Sequence, residues 1–358
     1  MVKKRIIVFF CIIMMLTGAL LLLSGILEKP PSISDVVKEF EKIEPMRGRI
    51  AFISKRENDD CRQVYTMKTD GSDMTRLTSE AGSKLFPQIS PNGKMIAFVR
   101  AGKDSMVLAA PPAEGLYIIG ADGQTTIEIY DGTVDGLFAW SPDSKQIAFS
   151  HPDWTNKTYD LFEGSEEFYD TECAYDVYVI SLDSGNIIRL TTEGGRYPTW
   201  SPDGKQIAFV STRQYKWKDT ETKQDIYIMN SDGSNQTRIP IPRPFGNSPI
   251  PNPLSLSWSP DGKKFVFWAR WGNPSIFTMD TDGSNLTQLD IALVNSTYTT
   301  IGKHPAWSPD SKQIAFNSNR NEGGLMGIYI MNADGSDIKH IVKNSRYVRA
   351  EYPTWSPP

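Results

Sequence analysis

The stretch that decides the fold is Trp200-Ser201-Pro202-Asp203-Gly204-Lys205-Gln206-Ile207-Ala208-Phe209. It joins an aromatic ring and a Ser-Pro pair, through an Asp-Gly turn signal, to a run of apolar residues. Related stretches recur at Ile89–Phe98, Trp140–Phe149, Trp258–Phe267 and Trp307–Phe316, with a shortened copy at Trp355-Ser356-Pro357. The Ser-Pro pairs begin at residues 90, 141, 201, 259, 308 and 356, so neighbouring copies lie 48–60 residues apart. A sustained period of this length indicates a repeat architecture.

Each repeat resolves into four short strands. In the fourth repeat, Tyr197–Ser201 and Gln206–Ser211 flank the Pro-Asp-Gly turn, and Asp225–Asn230 and Gln236–Pro240 flank an Asp-Gly hairpin. Asp-Gly between apolar runs is a strong hairpin signal, because both central residues need positive φ. No segment between strands is long and periodic enough for a crossover helix, which excludes a parallel α/β fold. The pattern predicts an all-β fold, a six-bladed β-propeller of four-stranded antiparallel blades.

The two ends of the repeat region predict how the ring closes. The first blade begins directly at its second strand, Arg49–Ser54, whereas the chain ends with an orphan first strand, Tyr352–Ser356. Pairing these two strands completes the first blade and removes two open sheet edges that would otherwise invite aggregation.

Composition limits the class of protein. The 358 residues are 39% hydrophobic and 11% aromatic, enough to bury a large core, which excludes a disordered chain. Three cysteines exclude a disulfide framework; a bond between Cys61 and Cys173, which both follow the second strand of a blade, stays open. The formal net charge of −4 provides no basic field for a phosphate backbone, so we expect no nucleic-acid partner.

The first 27 residues are predicted to be a membrane-targeting segment. Lys3, Lys4 and Arg5 precede an uncharged apolar run, Ile6–Leu27, which as a helix is about 33 Å long and could cross a bilayer. Its length and the lack of an Ala-x-Ala site favour a transmembrane anchor over a cleaved secretion signal, which stays the alternative. The leading cations place the rest of the chain outside the cytoplasm, periplasmic or at the cell surface. Cleavage would instead make the protein secreted.

Residues 28–48 read as a stalk between this segment and the propeller of residues 49–358. Ser32 and Asp35 suit a capping box, and apolar residues follow at helical spacing as far as Ile43. The predicted short helix either docks on the propeller or binds a partner.

Both repeated elements resemble the propeller repeat of the TolB-like (PD40, WD40-like) family. The second of them, Ile-Tyr-Ile-Met-Asn-x-Asp-Gly-Ser, is clearest at Ile226–Ser234 and Ile328–Ser336. The resemblance covers about residues 49–358 and implies an extracytoplasmic six-bladed propeller that acts as a protein-interaction platform. In TolB itself a globular α/β domain precedes the propeller, where this sequence has the apolar run and the stalk. Serine peptidases that carry similar repeats add a hydrolase domain, and this sequence contains no Gly-x-Ser-x-Gly motif.

The start of each first strand is a candidate binding site. If this strand is innermost, its first residues ring one opening of the channel. Aromatic rings with a few charges could there hold an extended peptide or a small ligand; the alternative is that the same side chains merely cap the core. The candidates are Phe86, Arg196, Tyr197, Lys303, His304, Glu351 and Tyr352.

The insertion His151–Asp176 in the third blade, called the flap below, departs most from the repeat. It carries eight acidic residues against Lys157 alone, together with six aromatic residues. We expect an ordered flap that docks a basic protein or peptide; the alternative is a lid packed on the propeller. Its candidate binding residues are Trp154, Tyr159, Phe162, Glu166, Glu167, Phe168 and Tyr169.

The histidines argue against metal catalysis. His304 opens a first strand, His151 follows a second strand and His340 lies in a fourth strand, so the three do not easily converge. We therefore expect no metal, no cofactor and a non-catalytic binding platform tethered to a membrane. The alternative is a carbohydrate-active or lactone-cleaving enzyme with its site in the channel.

Overall fold

The propeller is built from six sheets. The computed structural model describes residues 31–56, 59–101, 113–153, 174–211, 224–242, 252–271, 273–289, 302–320, 326–342 and 349–358. Its strands pair into six four-stranded antiparallel sheets around a central channel, which confirms the predicted six-bladed, all-β propeller.

The strand bounds, in order from the channel outward, are as follows. The first two blades are β24 (Arg349–Trp355), β1 (Arg49–Lys55), β2 (Gln63–Lys68) and β3 (Thr75–Arg76), then β4 (Lys84–Ile89), β5 (Met95–Arg100), β6 (Ala113–Gly120) and β7 (Thr126–Val134). The next two are β8 (Phe138–Trp140), β9 (Gln146–Asp153), β10 (Ala174–Ser181) and β11 (Ile187–Arg189), then β12 (Arg196–Trp200), β13 (Gln206–Ser211), β14 (Asp225–Asn230) and β15 (Thr237–Ile239). The last two are β16 (Asn252–Trp258), β17 (Lys264–Trp271), β18 (Asn273–Asp280) and β19 (Thr287–Gln288), then β20 (Gly302–Trp307), β21 (Gln313–Ser318), β22 (Gly327–Asn332) and β23 (Lys339–Val342).

The ring closes within the first blade. The C-terminal strand β24 runs antiparallel to β1, with Ile50 opposite Trp355 and Ser54 opposite Ala350. Ser356 N–H donates to the Arg49 carbonyl at 2.8 Å. Arg49 N–H in turn donates to the Ser356 hydroxyl at 2.9 Å. The predicted closure is confirmed.

The repeated Ser-Pro-Asp-Gly-Lys turn is held by its own side chains. The Ser201 hydroxyl donates to Asp203 Oδ1 at 2.7 Å and accepts from Gln206 N–H at 2.9 Å. Asp203 Oδ1 also accepts from Lys205 N–H at 3.1 Å. The hydrogen bond from Ser201 is the main reason why the pKa of Asp203 lies below its ordinary value. The Asp203 carboxylate therefore stabilises the turn through its own hydrogen bonds.

The core lies between the blades. In the described part of the chain, buried apolar side chains form six clusters, each shared by two neighbouring blades. Tryptophans at the ends of innermost strands also bridge blades. Trp140 Nε1 donates to the Gln88 carbonyl at 3.0 Å, and Trp355 Nε1 donates to the Ala306 carbonyl at 3.1 Å.

Helix α1 (Ile33–Phe40) begins at a capping box, in which Ser32 and Asp35 exchange hydrogen bonds. Val37 and Phe40 are buried in the cluster between the second and third blades. The helix is therefore docked on the propeller. Beyond its C-terminus, Met46 N–H donates to the Gly93 carbonyl at 2.7 Å, in the turn between β4 and β5.

Two faces of the ring follow from this topology. The turn face carries the turns between the first and second strands, such as Ser201–Gln206, and the hairpins between the third and fourth strands, such as Asn230–Ser234. The loop face lies opposite, where each first strand begins. Helix α1 lies on the turn face. No helix in the described ranges is long and apolar enough to cross a membrane, and residues 1–30 lie outside these ranges.

Candidate functional site

The channel opening is shaped by a β-bulge in the innermost strands. The pairing of β4, β12, β16, β20 and β24 with the adjacent strand shifts register near its start. One residue at each shift has left-handed backbone: Phe86 (φ 52°), Tyr197 (φ 55°), Ser255 (φ 56°), His304 (φ 50°) and Tyr352 (φ 58°). A bulge bends its strand and re-aims side chains. Left-handed backbone costs an L-residue roughly 1–2 kcal/mol, so the ring holds these residues against local preference.

The bulges surround a cavity of about 190 Å³ on the channel axis. Phe86, Tyr197, His304 and Tyr352 line it, and all four side chains are partly exposed. Farther along the axis, the wall carries the small or polar residues Gln88, Ala139, Thr199, Ser257, Ala306 and Thr354. The cavity thus has an aromatic opening on the loop face and a more polar interior.

Three of the rings meet across the opening and are called the aromatic triad below. The ring centroid of Tyr352 lies 4.3 Å from that of Phe86 and 4.4 Å from that of His304. Phe86 and His304 lie 6.0 Å apart in an edge arrangement. These separations are typical of attractive aromatic pairs. The triad joins the second, first and sixth blades.

His304 is a neutral member of the triad. Its Nδ1 lies 3.0 Å from the Ser255 hydroxyl of the fifth blade. One part of the His304 side chain is exposed to the channel, but the surrounding strands enclose most of it. This desolvation, reinforced by the nearby Lys303 ammonium, lowers the pKa of His304 to about 3. Burial also raises the pKa of Tyr352 above its ordinary value. Both groups are therefore uncharged over the physiological pH range.

Arg196 lies between blades rather than in the channel opening. Its Nε and Nη2 donate to the two carboxylate oxygens of Asp135 at 2.6 and 3.0 Å. The guanidinium also lies over the rings of Tyr175, at 4.3 Å, and Tyr197, at 5.1 Å. Burial opposes the charge of Arg196, but the Asp135 carboxylate outweighs it and raises the arginine pKa well above its ordinary value.

The other two charges predicted for the opening also contact neighbouring side chains. Lys303 Nζ lies 5.3 Å from the centroid of the Trp268 ring, a cation–π distance. Glu351 lies 3.7 Å from Arg62. The structure therefore brings the aromatic candidates to the channel and leaves the charged candidates in contacts around it.

The remaining predicted groups do not join this site. His151 Nδ1 contacts the Thr133 carbonyl at 2.8 Å and the Tyr130 hydroxyl at 3.0 Å, and the His340 ring stacks on Tyr329. Cys61 Sγ donates to the Gly82 carbonyl at 3.3 Å. Outside the described residues lie Cys173 and the flap candidates Trp154, Tyr159, Phe162, Glu166, Glu167, Phe168 and Tyr169. Within the described ranges, no three His, Cys, Asp or Glu side chains are grouped to hold a metal ion.

Ser255 and Asp135 are site residues that were not among the candidates predicted from the starts of the first strands. Ser255 stands three residues before Trp258, the same offset that separates His304 from Trp307 and Tyr352 from Trp355. Counting back from the tryptophan would therefore have identified it. Asp135 lies in the connection before β8 and carries no such signal, because its partner Arg196 belongs to the next blade.

Comparisons with known proteins give distant similarities, and no protein-family profile matches the chain. It is 26% identical over 307 residues to dipeptidyl-peptidase 5 of Porphyromonas gingivalis, covering 75% of this chain and 42% of that protein. It is 30% identical over 173 residues to a protein TolB homolog of Chlorobium chlorochromatii, covering 46% of this chain and 32% of that protein. The crystal structure of TolB from Acinetobacter baumannii is similar with a TM-score of 0.64 and 19% identity, over 91% of this chain and 71% of that one.

The matches span less than half the length of these two curated relatives. The likeness to the solved structure, at its low identity, shows the fold alone. Site chemistry therefore has to come from the residues of this chain.

Proposed function

We propose that this six-bladed β-propeller, whose repeats resemble those of TolB, is a membrane-tethered, extracytoplasmic platform that binds a protein or peptide on its loop face. The observation that carries the proposal is the set of partly exposed rings, Phe86, Tyr197, His304 and Tyr352, held in left-handed backbone at one opening of the channel. Strained residues that a fold keeps in place concentrate at ligand-binding sites. Aromatic rings that need no further ordering suit an extended peptide.

A binding role also agrees with the chemistry of the opening. His304 is neutral, and Arg196 and Glu351 lie beside oppositely charged partners, Asp135 and Arg62. The opening therefore presents aromatic rings and polar side chains to a ligand. It does not present a general acid and a general base with separated pKa values. The basic character of the proposed partner rests on the acidic, aromatic sequence of the flap.

The proposed tether fits the placement of α1. The apolar run Ile6–Leu27 precedes a helix that lies on the turn face. An anchor at this end of the chain would direct the loop face, with the aromatic opening, away from the bilayer. The partner would then approach from the extracytoplasmic side.

Site-specific photo-cross-linking in the source cells tests the platform. A benzophenone amino acid is placed at Tyr197, at the channel opening, or at Lys205, an exposed residue on the turn face of the same blade. We expect a discrete protein adduct from position 197, weakened by Phe86→Ala, and none from position 205. Equal adducts from both positions, or no adduct from position 197, would reject the loop face as the binding surface.

One contact favours a second function. The Ser255 hydroxyl lies 3.0 Å from His304 Nδ1, the spacing of a nucleophile and its base, which suits the lactone-cleaving form of the alternative function. A histidine pKa of about 3 makes it a weak base at neutral pH. We therefore expect no turnover of oligogalacturonides or lactones. Turnover that is lost in Ser255→Ala would establish the enzyme instead.

A further inference from the structure

Two neighbouring isoleucines on the third blade are exposed. Among the described residues, the large apolar side chains that stand out to solvent are Ile187 (43% exposed), Ile188 (60%) and Ile338 (37%). Ile187 and Ile188 begin the outermost strand β11 and are called the isoleucine pair below. Their side chains lie on opposite faces of β11, because Ile187 is paired with Ile180 and Ile188 with Val179. The pair therefore flanks a sheet edge on both sides, and an exposed hydrophobic edge strand is a liability unless something covers it.

Of the isoleucine pair, Ile187 lies on the face of the third blade that packs against the start of α1. Ile187 is paired with Ile180 and so shares its face of the sheet. Ile180 belongs to the same apolar cluster against which Ile33 packs. A Cβ atom on Gly185, in the hairpin just before β11, would lie 3.6 Å from Ile33 Cδ1.

The third blade also differs from the others in how its outer hairpin packs. In the five other blades, a Cβ atom on the hairpin glycine would lie 2.8–3.3 Å from a backbone carbonyl of the neighbouring blade: Gly71 on Ile341, Gly123 on Leu77, Gly233 on Leu190, Gly283 on Pro240 and Gly335 on Leu289. At Gly185 the one described atom within 4 Å is the Ile33 side chain. This hairpin therefore faces outward beside the helix.

The chain length sets how far this hairpin lies from the proposed anchor. Residues 28–32 separate the end of the apolar run, Leu27, from Ile33. Six residue steps span at most about 20 Å, even fully extended. The polar boundary of a bilayer is itself several ångströms deep on each side. If Ile6–Leu27 spans the membrane, the isoleucine pair is held close to the lipid surface.

We propose that Ile187 and Ile188 insert into the membrane interface and fix the tilt of the propeller on its anchor, with the loop face turned outward. This inference rests on the proposed membrane tether. The tether holds the hairpin at a high local concentration near lipid, so two apolar side chains suffice for the contact. Isoleucine at the polar boundary also covers the exposed edge of β11.

The test uses the full chain in nanodiscs of phosphatidylcholine with brominated acyl chains. In a background with Cys11, Cys61 and Cys173 replaced by serine, a single Ile188→Cys carries an environment-sensitive nitrobenzoxadiazole dye. The matched control is Ile338→Cys, near the outer hairpin of the sixth blade, across the ring from the third blade. We expect blue-shifted emission and strong bromine quenching at position 188, and neither at position 338.

Three results would overturn the inference. Position 188 could be as weakly quenched as position 338 while the protein still floats with lipid, which leaves the tether intact and rejects the contact. Equal quenching at both positions would reject a fixed tilt. A blue shift at position 188 without bromine quenching would indicate a second copy of the chain as the occupant.

Two further measurements separate the remaining cases. A full-length, uncleaved chain that does not float with lipid rejects the tether, and with it the premise of the inference. Slower amide exchange at residues 186–189 of the unlabelled chain in nanodiscs than in detergent is expected independently of the dye. Unchanged exchange there would contradict the contact even if a labelled variant misfolded.

Discussion

At the residue scale, neighbouring positions in one strand have opposite roles. His304 faces the channel as a neutral ring, whereas Lys303, one residue earlier, lies over Trp268. In the same way, Tyr197 lines the channel cavity, whereas Arg196, one residue earlier, donates to Asp135. The sequence predicted Arg196, Tyr197, Lys303 and His304 at the channel opening, and of these only Tyr197 and His304 line the described cavity. It did not reveal which side chains would face the axis, because the β-bulge that sets their direction depends on pairing with the next strand.

The pH dependence of stability tests the environment of His304. Its pKa is about 3 when folded and about 6.5 when unfolded, so between these values the unfolded chain binds the extra proton. The stabilisation is present above pH 6.5 and is lost as pH falls toward 3. From pH 7 to pH 5 the wild type loses up to about 2 kcal/mol more than His304→Gln does. Urea unfolding at both pH values measures the difference; parallel losses would contradict the assigned environment.

The ion pair between Arg196 and Asp135 is the second prediction at this scale. Asp135→Asn leaves a half-buried guanidinium without its carboxylate, and we expect a loss of up to about 3 kcal/mol in the free energy of unfolding. The matched control is Asp183→Asn, which breaks a 4.0 Å pair between exposed Asp183 and Lys145. That change costs less than about 1 kcal/mol. Equal costs for the two variants would refute the assignment of Arg196 to a blade-bridging role.

At the element scale, the turns and α1 were predictable because their information is local. Ser201 and Asp203 hold one turn within six residues, and Ser32 and Asp35 cap α1 across three. The contact of an outer hairpin with the neighbouring blade was not predictable. The Asp-Gly pair specifies the backbone geometry of the turn and carries no information on what packs against it. The third blade shows the difference: its hairpin reads Asp-Ser-Gly and contacts α1 instead.

Two glycine substitutions separate turn geometry from blade packing. Gly185 and Gly233 both have positive φ, 71° and 87°, so alanine costs each hairpin roughly 1–2 kcal/mol. In Gly233→Ala the new Cβ also lies 3.0 Å from the Leu190 carbonyl. In Gly185→Ala the new Cβ meets, among the described residues, only Ile33 at 3.6 Å. In chemical denaturation we expect Gly233→Ala to lose at least about 1 kcal/mol more of the free energy of unfolding than Gly185→Ala loses. Identical losses would mean that the hairpin does not press on its neighbour.

At the scale of the whole molecule, the blade number and closure were predictable from a count of repeats and their two incomplete ends. The face of the ring that carries α1 was not predictable, because it depends on tertiary packing. The structure places this helix on the turn face, opposite the aromatic opening. Helix α1 and the aromatic opening thereby belong to opposite sides of one ring.

Removing residues 349–358 tests the closure. Without β24, β1 loses its inner partner and the first blade has an exposed edge. We expect the truncated chain to lose cooperative thermal unfolding and to aggregate in size-exclusion chromatography. A synthetic peptide of residues 349–358 restores the cooperative transition, and a peptide of shuffled sequence does not. A truncated chain that melts like the wild type would show that β24 is dispensable.

The tether has its own prediction. If the proposed tether is correct, we expect the full chain to stay with membranes through alkaline carbonate extraction and its mass to retain residues 1–27. A mature protein that begins after residue 27 and is released in soluble form would establish a cleaved signal instead.

The pairing of β1 with β24 also imposes an order on biosynthesis. Arg49 emerges from the ribosome 300 residues before Arg349 (349 − 49) and waits for its partner while the strands of five other blades are being made. Until then the inner edge of β1 is an unpaired strand edge, a kind of surface that chaperones shield. A pause late in translation, after most blades have been made and before β24 emerges, would therefore carry the greatest risk of misassembly.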